Sequence, residues 1–169
     1  MNMLTKKRIA GFTMVELIIV IAIIAILAGI IFVAIDPARR LHEARNARRR
    51  SDVNTVLDAL IKYQADNQGA HYSTVAAATA GSYYAVGTNA AGCNTTCTAQ
   101  TTQAACVDLS AIPAGYLAII PQDPSSGSTG NTDYYVMRSA AGSLTVGSCD
   151  SEGEGAGGAG TPPAISVSR

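Results

Sequence analysis

The chain has 169 residues, four cysteines, no tryptophan and a formal net charge of zero, which leaves room for one modest domain and a helical stalk. The charge is unevenly spread: beyond residue 69 only Arg138 and Arg169 are basic, against Asp108, Asp123, Asp133, Asp150, Glu152 and Glu154. A mildly acidic distal part argues against a nucleic-acid surface there.

In chain order, Lys6, Lys7 and Arg8 come first, and then an unbroken apolar run over residues 17–35, LIIVIAIIAILAGIIFVAI. As a helix this run would span roughly 28 Å, close to the ~30 Å of a bilayer's hydrocarbon. A helix that is apolar all round must face lipid or be surrounded by neighbours, and the domain left over is too small to wrap it. A secretory signal peptide fits poorly, because the run is long and Pro37-Ala38-Arg39-Arg40 is not a small-residue cleavage site. A plain membrane anchor leaves Glu16 unexplained, since an ionisable group at the edge of a span usually has a partner.

Ala10-Gly11-Phe12-Thr13-Met14-Val15-Glu16-Leu17 resembles the processing signature of type IV pilins and secretion pseudopilins. The elements are a basic leader, a Gly, a Phe, a Glu five places into the mature chain, and an aliphatic helix. The resemblance implies cleavage between Gly11 and Phe12 by a prepilin peptidase that also N-methylates Phe12. It implies that Glu16 pairs with the Phe12 amine of a neighbouring subunit. An inner-membrane assembly platform and a helical homo-oligomer are the further partners it implies, with membrane lipid around the helix before assembly. The physics agrees, because cleavage creates an ammonium, and a carboxylate in a low-dielectric bundle costs much less beside a cation. Orientation by charge alone conflicts with this. The arginines after the run outnumber the leader's basic residues, and the positive-inside rule would hold that side in the cytoplasm. The distal cysteines and the prepilin resemblance imply the reverse, with the N-terminus inside and the rest outside, because in that family the leader faces a cytoplasmic-side peptidase.

After the run, Asp36-Pro37 predicts a kink or a fresh helix start, with Asp36 able to cap the second segment. Residues 38–67 contain no Gly or Pro, and Val53, Val56, Leu57, Leu60 and Ile61 form an i, i+3, i+4 stripe. This stripe should pack on the distal domain, and Asn67-Gln68-Gly69 is a stop signal. The cluster Arg39, Arg40, Arg45, Arg48, Arg49 and Arg50 reads first as a solvated face with Glu43 and Asp52 as local partners. The sharper reading is contact with anionic lipid or with acidic patches of neighbouring subunits. DNA contact would be limited to sequence-independent phosphate attraction and is disfavoured.

Residues 70–112, rich in Ala, Thr, Gly, Asn and Ser, read as a variable loop. Cys93, Cys97, Cys106 and Cys149 read as a disulfide pair in an oxidising compartment. Cys93–Cys97 with Cys106–Cys149, and Cys97–Cys106 with Cys93–Cys149, are two of the three pairings, and the sequence does not choose. A zinc site would want a second close pair. Strand-like runs follow at residues 116–120, 134–138 and 144–147, suggesting an antiparallel meander. Pro121-Gln122-Asp123-Pro124 resembles a pilin and pseudopilin segment that precedes the first sheet hairpin. Asp123, Asp133, Asp150, Glu152 and Glu154 are candidate calcium ligands without a recognisable loop motif; solvated turn residues are the plainer reading, so no cofactor is expected. Asn94-Thr95-Thr96 fits a glycosylation sequon. His42 and His71 belong to no nucleophile motif, and no phosphate-binding glycine loop is present; the chain is not expected to be an enzyme.

The expected fold class is α+β. A long N-terminal helix has its apolar half protruding and its second half packed on a small antiparallel sheet, as in pilins. The expected divisions are a cleaved leader (1–11), a transmembrane or filament-core helix (12–36), an amphipathic helix (37–68), a disulfide-stapled domain (69–152) and a flexible tail (153–169). The expected function is a structural subunit of a type IV pilus-like filament, made in the cytoplasmic membrane and then extracellular or periplasmic. The alternatives are a type II secretion pseudopilin and a membrane-anchored binding protein that does not polymerise.

Overall fold

The computed structural model describes residues 11–169; the leader's Lys6, Lys7, Arg8 and Ala10 lie outside the described residues. The chain divides into two compact units, the first ending at Pro37 and the second comprising Ala38–Arg169.

The first unit is the helix α1, Met14–Ile35. It starts on a capping box. The Thr13 hydroxyl accepts from the Glu16 backbone N–H at 3.2 Å, while Glu16 accepts from the Thr13 N–H at 2.8 Å, so two otherwise orphaned donors are satisfied. It ends at Asp36, whose φ of 47° is left-handed. The following proline disfavours helical geometry at that residue. No residue of α1 is buried.

All but the first residue of α2, Pro37–Asp66, belongs to the second unit. Proline is tolerated at a first helical position because the N–H it lacks would have no partner there. The helix stops where the sequence says: Gln68 and Gly69 take φ values of 57° and 86°, and the Gly69 N–H caps the Gln64 carbonyl at 2.8 Å. A short helix α3, Ser73–Ala77, follows. Strands β1 (Tyr83–Ala85), β2 (Tyr134–Arg138), β3 (Leu144–Ser148) and β4 (Ser166–Ser168) form one antiparallel sheet in sequence order. The α+β architecture, a long N-terminal helical region and a small antiparallel sheet, is therefore present. Val53, Val56, Leu57 and Leu60 are buried against Tyr134, Val136, Leu144 and Val146 in one core, with Ile61 packed at its margin.

Three expectations change. The run over 116–120 is not a strand. It is folded into turns between Pro113 and Pro121, with Tyr116 N–H bonded to the Pro113 carbonyl at 2.9 Å. Leu117 reaches the core, with Tyr116 and Ile120 at its margin, from irregular backbone, because β-propensity records fit to a half-buried surface rather than a backbone demand. The 70–112 loop supplies α3 and β1. The tail is not loose either, since β4 pairs with β3 from Thr145↔Ser168 to Gly147↔Ser166, and Ile165 is buried. Composition predicted disorder there, but Ile165 and Val167 carry enough apolar surface to close the sheet.

Candidate functional site

At the N-terminal end of α1, Phe12 is exposed and a side chain at Gly11 would meet nothing. Glu16 is the only charged residue from Gly11 to Ile35. One of its oxygens takes both the Thr13 N–H and the Thr13 hydroxyl, each at 2.8 Å. Behind it, α1 presents Leu, Ile, Val and Phe on every side, long and apolar enough to cross a membrane.

In the second unit the arginine-rich half of α2 is engaged by its own chain. Arg49 is fully buried. Its Nε and Nη2 donate to the two oxygens of Asp123 at 2.6 and 3.0 Å, and its Nη1 donates to Glu152 at 3.0 Å and to the Asn46 side-chain Oδ1 at 2.8 Å. Arg45 bonds Glu152 at 2.8 Å and Arg50 bonds Glu154 at 3.2 Å. His42 Nδ1 lies 2.9 Å from the Gly153 carbonyl. Gly158 packs so close that an added Cβ would stand 2.6 Å from the His42 ring. Arg39 and Arg40 share Glu43, and Arg48 faces Asp52, as the local reading expects. The acidic patches met by Arg45, Arg49 and Arg50 are thus the protein's own.

The charges set the ionisation of the clasp. Burial pushes the Asp123 carboxyl up, but the Arg49 guanidinium and the Ser125 donors outweigh it and hold the group at about 2. Burial likewise opposes ionisation of Glu152, and Arg49 and Arg45 overcome it. Tyr134 is pushed well above its ordinary value by burial and by its hydrogen bond to Asp52.

Cys93 bonds Cys106 and Cys97 bonds Cys149, the third of the three pairings and neither of the two named from sequence. The second bridge fixes the start of the segment that carries Glu152 and Glu154.

Residues 6–32 match the prokaryotic N-terminal methylation motif. This segment is a prepilin signal of the kind shared by type IV pilins and pseudopilins. The signal spans Gly11, Phe12, Glu16 and most of α1, and with that apolar helix it fits a membrane-anchored precursor. No curated protein and no solved structure matches the chain.

Beyond the signal, the calcium reading finds no support. Among the described residues no group of three or more His, Cys, Asp or Glu could hold a metal ion, and Asp123, Glu152 and Glu154 are already taken by arginines. Asp133 and Asp150 are not brought together with them as ligands. Arg49, expected from sequence to lie on a solvated face, is instead buried, and a signal for this was there. Asn46 and Arg49 extend the stripe of Val53, Val56, Leu57 and Leu60 toward the N-terminus at helical spacing, so both had to face the domain.

Proposed function

We propose that this chain is a structural subunit of a type IV pilus-like filament. A prepilin peptidase cuts between Gly11 and Phe12 and methylates Phe12. Until then α1 holds the precursor in the cytoplasmic membrane, N-terminus inside. Assembly moves α1 from lipid into a helical bundle of its copies, outside the membrane. The observation that carries the reading is α1 itself, an apolar helix with no buried residue and one carboxylate in its first turn, directly behind the signal's glycine. Such a surface is stable only in lipid or against like helices. In that bundle the Phe12 ammonium of a neighbour offsets the desolvation of Glu16 and fixes axial register. The role is structural rather than catalytic.

N-terminal sequencing of the mature protein tests the processing step, and a methylated Phe12 start is expected; an intact Met1 start refutes it. Glu16→Ala should leave cleavage intact and abolish filaments seen by electron microscopy. The proline-flanked Asp123, anchored on α2, favours a second reading as a type II secretion pseudopilin. In that case deletion abolishes protein secretion and leaves surface fibres in place.

A further inference from the structure

The segment that resembles a strand in sequence and is not one in the fold lines a cavity of about 400 Å³. Leu109, Ile112 and Leu117 form its buried walls, and Ile119 stands at its rim, 83% exposed. A volume in the range of roughly 300–1,000 Å³, mostly apolar walls and a few polar groups are the marks of a small-molecule site. No Asp, Glu, Lys or Arg lines it, so nothing in the walls would compensate a charged ligand. The Thr88 and Thr132 hydroxyls are spent on backbone carbonyls. Ser110, Gln122 and Thr129 are the other polar side chains of the lining, and the Gln122 carboxamide has the most donors and acceptors to offer an occupant. Its neighbour Asp123 is bolted to Arg49, which holds this wall in place.

The rim argues for a small molecule over a protein partner. In the second unit the exposed large hydrophobics are Leu41, on α2, and Ile119. A protein interface needs a contiguous apolar centre, and one isoleucine beside a concave pocket does not supply it. We propose that this cup binds an uncharged, mainly apolar small molecule, its body against Leu109, Ile112 and Leu117, its polar end at Gln122, and Ile119 covering it.

Photo-crosslinking of the full-length chain in detergent micelles, with a neutral diazirine-bearing analogue of 1-decanol, tests this. The labelled peptide should lie within residues 109–122, label saturably, and be competed by excess 1-decanol. Labelling of α1, which faces the micelle, should not saturate and serves as the internal control. Ala118→Trp, which fills the cup, should lower the specific label at least tenfold. Ile119→Ser, at the exposed rim where folding is not at stake, should lower it several-fold. The proposal is overturned if no saturable label appears in residues 109–122, if both variants label as the parent does, or if unlabelled protein competes and 1-decanol does not. The last result would make the occupant a second copy.

Discussion

Arg49 puts a guanidinium where the helical stripe would ordinarily carry an aliphatic side chain. Every one of its nitrogens donates to the protein, which is the condition under which a buried charge is tolerated. Asp123→Ala removes the bidentate partner and leaves Glu152 as the one carboxylate on that charge, so it should cost about 3 kcal/mol of stability, read as a lower denaturant midpoint. Arg49→Met with Asp123→Leu should recover most of the loss, because the pair leaves together and Glu152 still has Arg45. The pH dependence follows from the depressed carboxyl. Asp123 gives up a proton more readily folded than unfolded, so its contribution is complete above the ordinary value of about 3.9 and is lost as pH falls through about 2. Asp133 has the opposite sign. It is buried, one oxygen has no hydrogen-bond partner, and burial raises its carboxyl. Folding therefore favours its protonated form, and the penalty grows as pH rises through the raised value. Asp133→Asn should stabilise the protein at neutral pH by on the order of 1 kcal/mol and have no effect in strong acid. Its left-handed φ of 57° suits Asn as well as Asp. Melting temperatures of the two proteins at pH values from acid to neutral decide this.

Between elements, the two disulfides do unequal work. Cys97–Cys149 closes a separation of 52 residues and Cys93–Cys106 one of 13. By loop entropy, removing the longer bridge should destabilise more, by about 1 kcal/mol. Paired alanine substitutions compared by urea unfolding check the order. The longer bridge also holds the strand end that delivers Glu152 and Glu154 to α2, so its removal should further weaken the clasp. Element prediction from sequence followed the same division. The stripe on α2, its stop at Gly69 and the β2–β3 pair were legible because local period and local turn chemistry specify them. Strands β1 and β4 were not, since each has three residues and exists only because β2 or β3 offers an edge. The 116–120 run misled for the converse reason. It has strand composition, but prolines at 113 and 121 and the core beneath it give its side chains better places than a ladder would.

At the scale of the molecule, the chain is two units whose stabilities have different sources. The second has its own apolar core, its own ion pairs and both disulfides. A fragment of residues 38–169 should be soluble without detergent and unfold cooperatively, with a melting temperature within a few degrees of the full chain's. Circular dichroism of the oxidised fragment tests this; a molten, non-cooperative fragment would mean that the core depends on α1. Among its described residues the first unit has no core to lose, and the stability of α1 belongs to whatever surrounds it.

The sequence by itself determined the prepilin signal, the apolar helix with its lone carboxylate, the break at Pro37 and the face that α2 buries. All are written in residues close together in the chain, where hydropathy and backbone restriction act directly. Only the tertiary structure decided the partners of the arginines, the pairing of the cysteines and the order in the glycine-rich tail. Those depend on which of several chemically equivalent residues a folded chain brings within about 3 Å. The charges of Asp123, Glu152 and Glu154 do not say that it is Arg45, Arg49 and Arg50 they will meet.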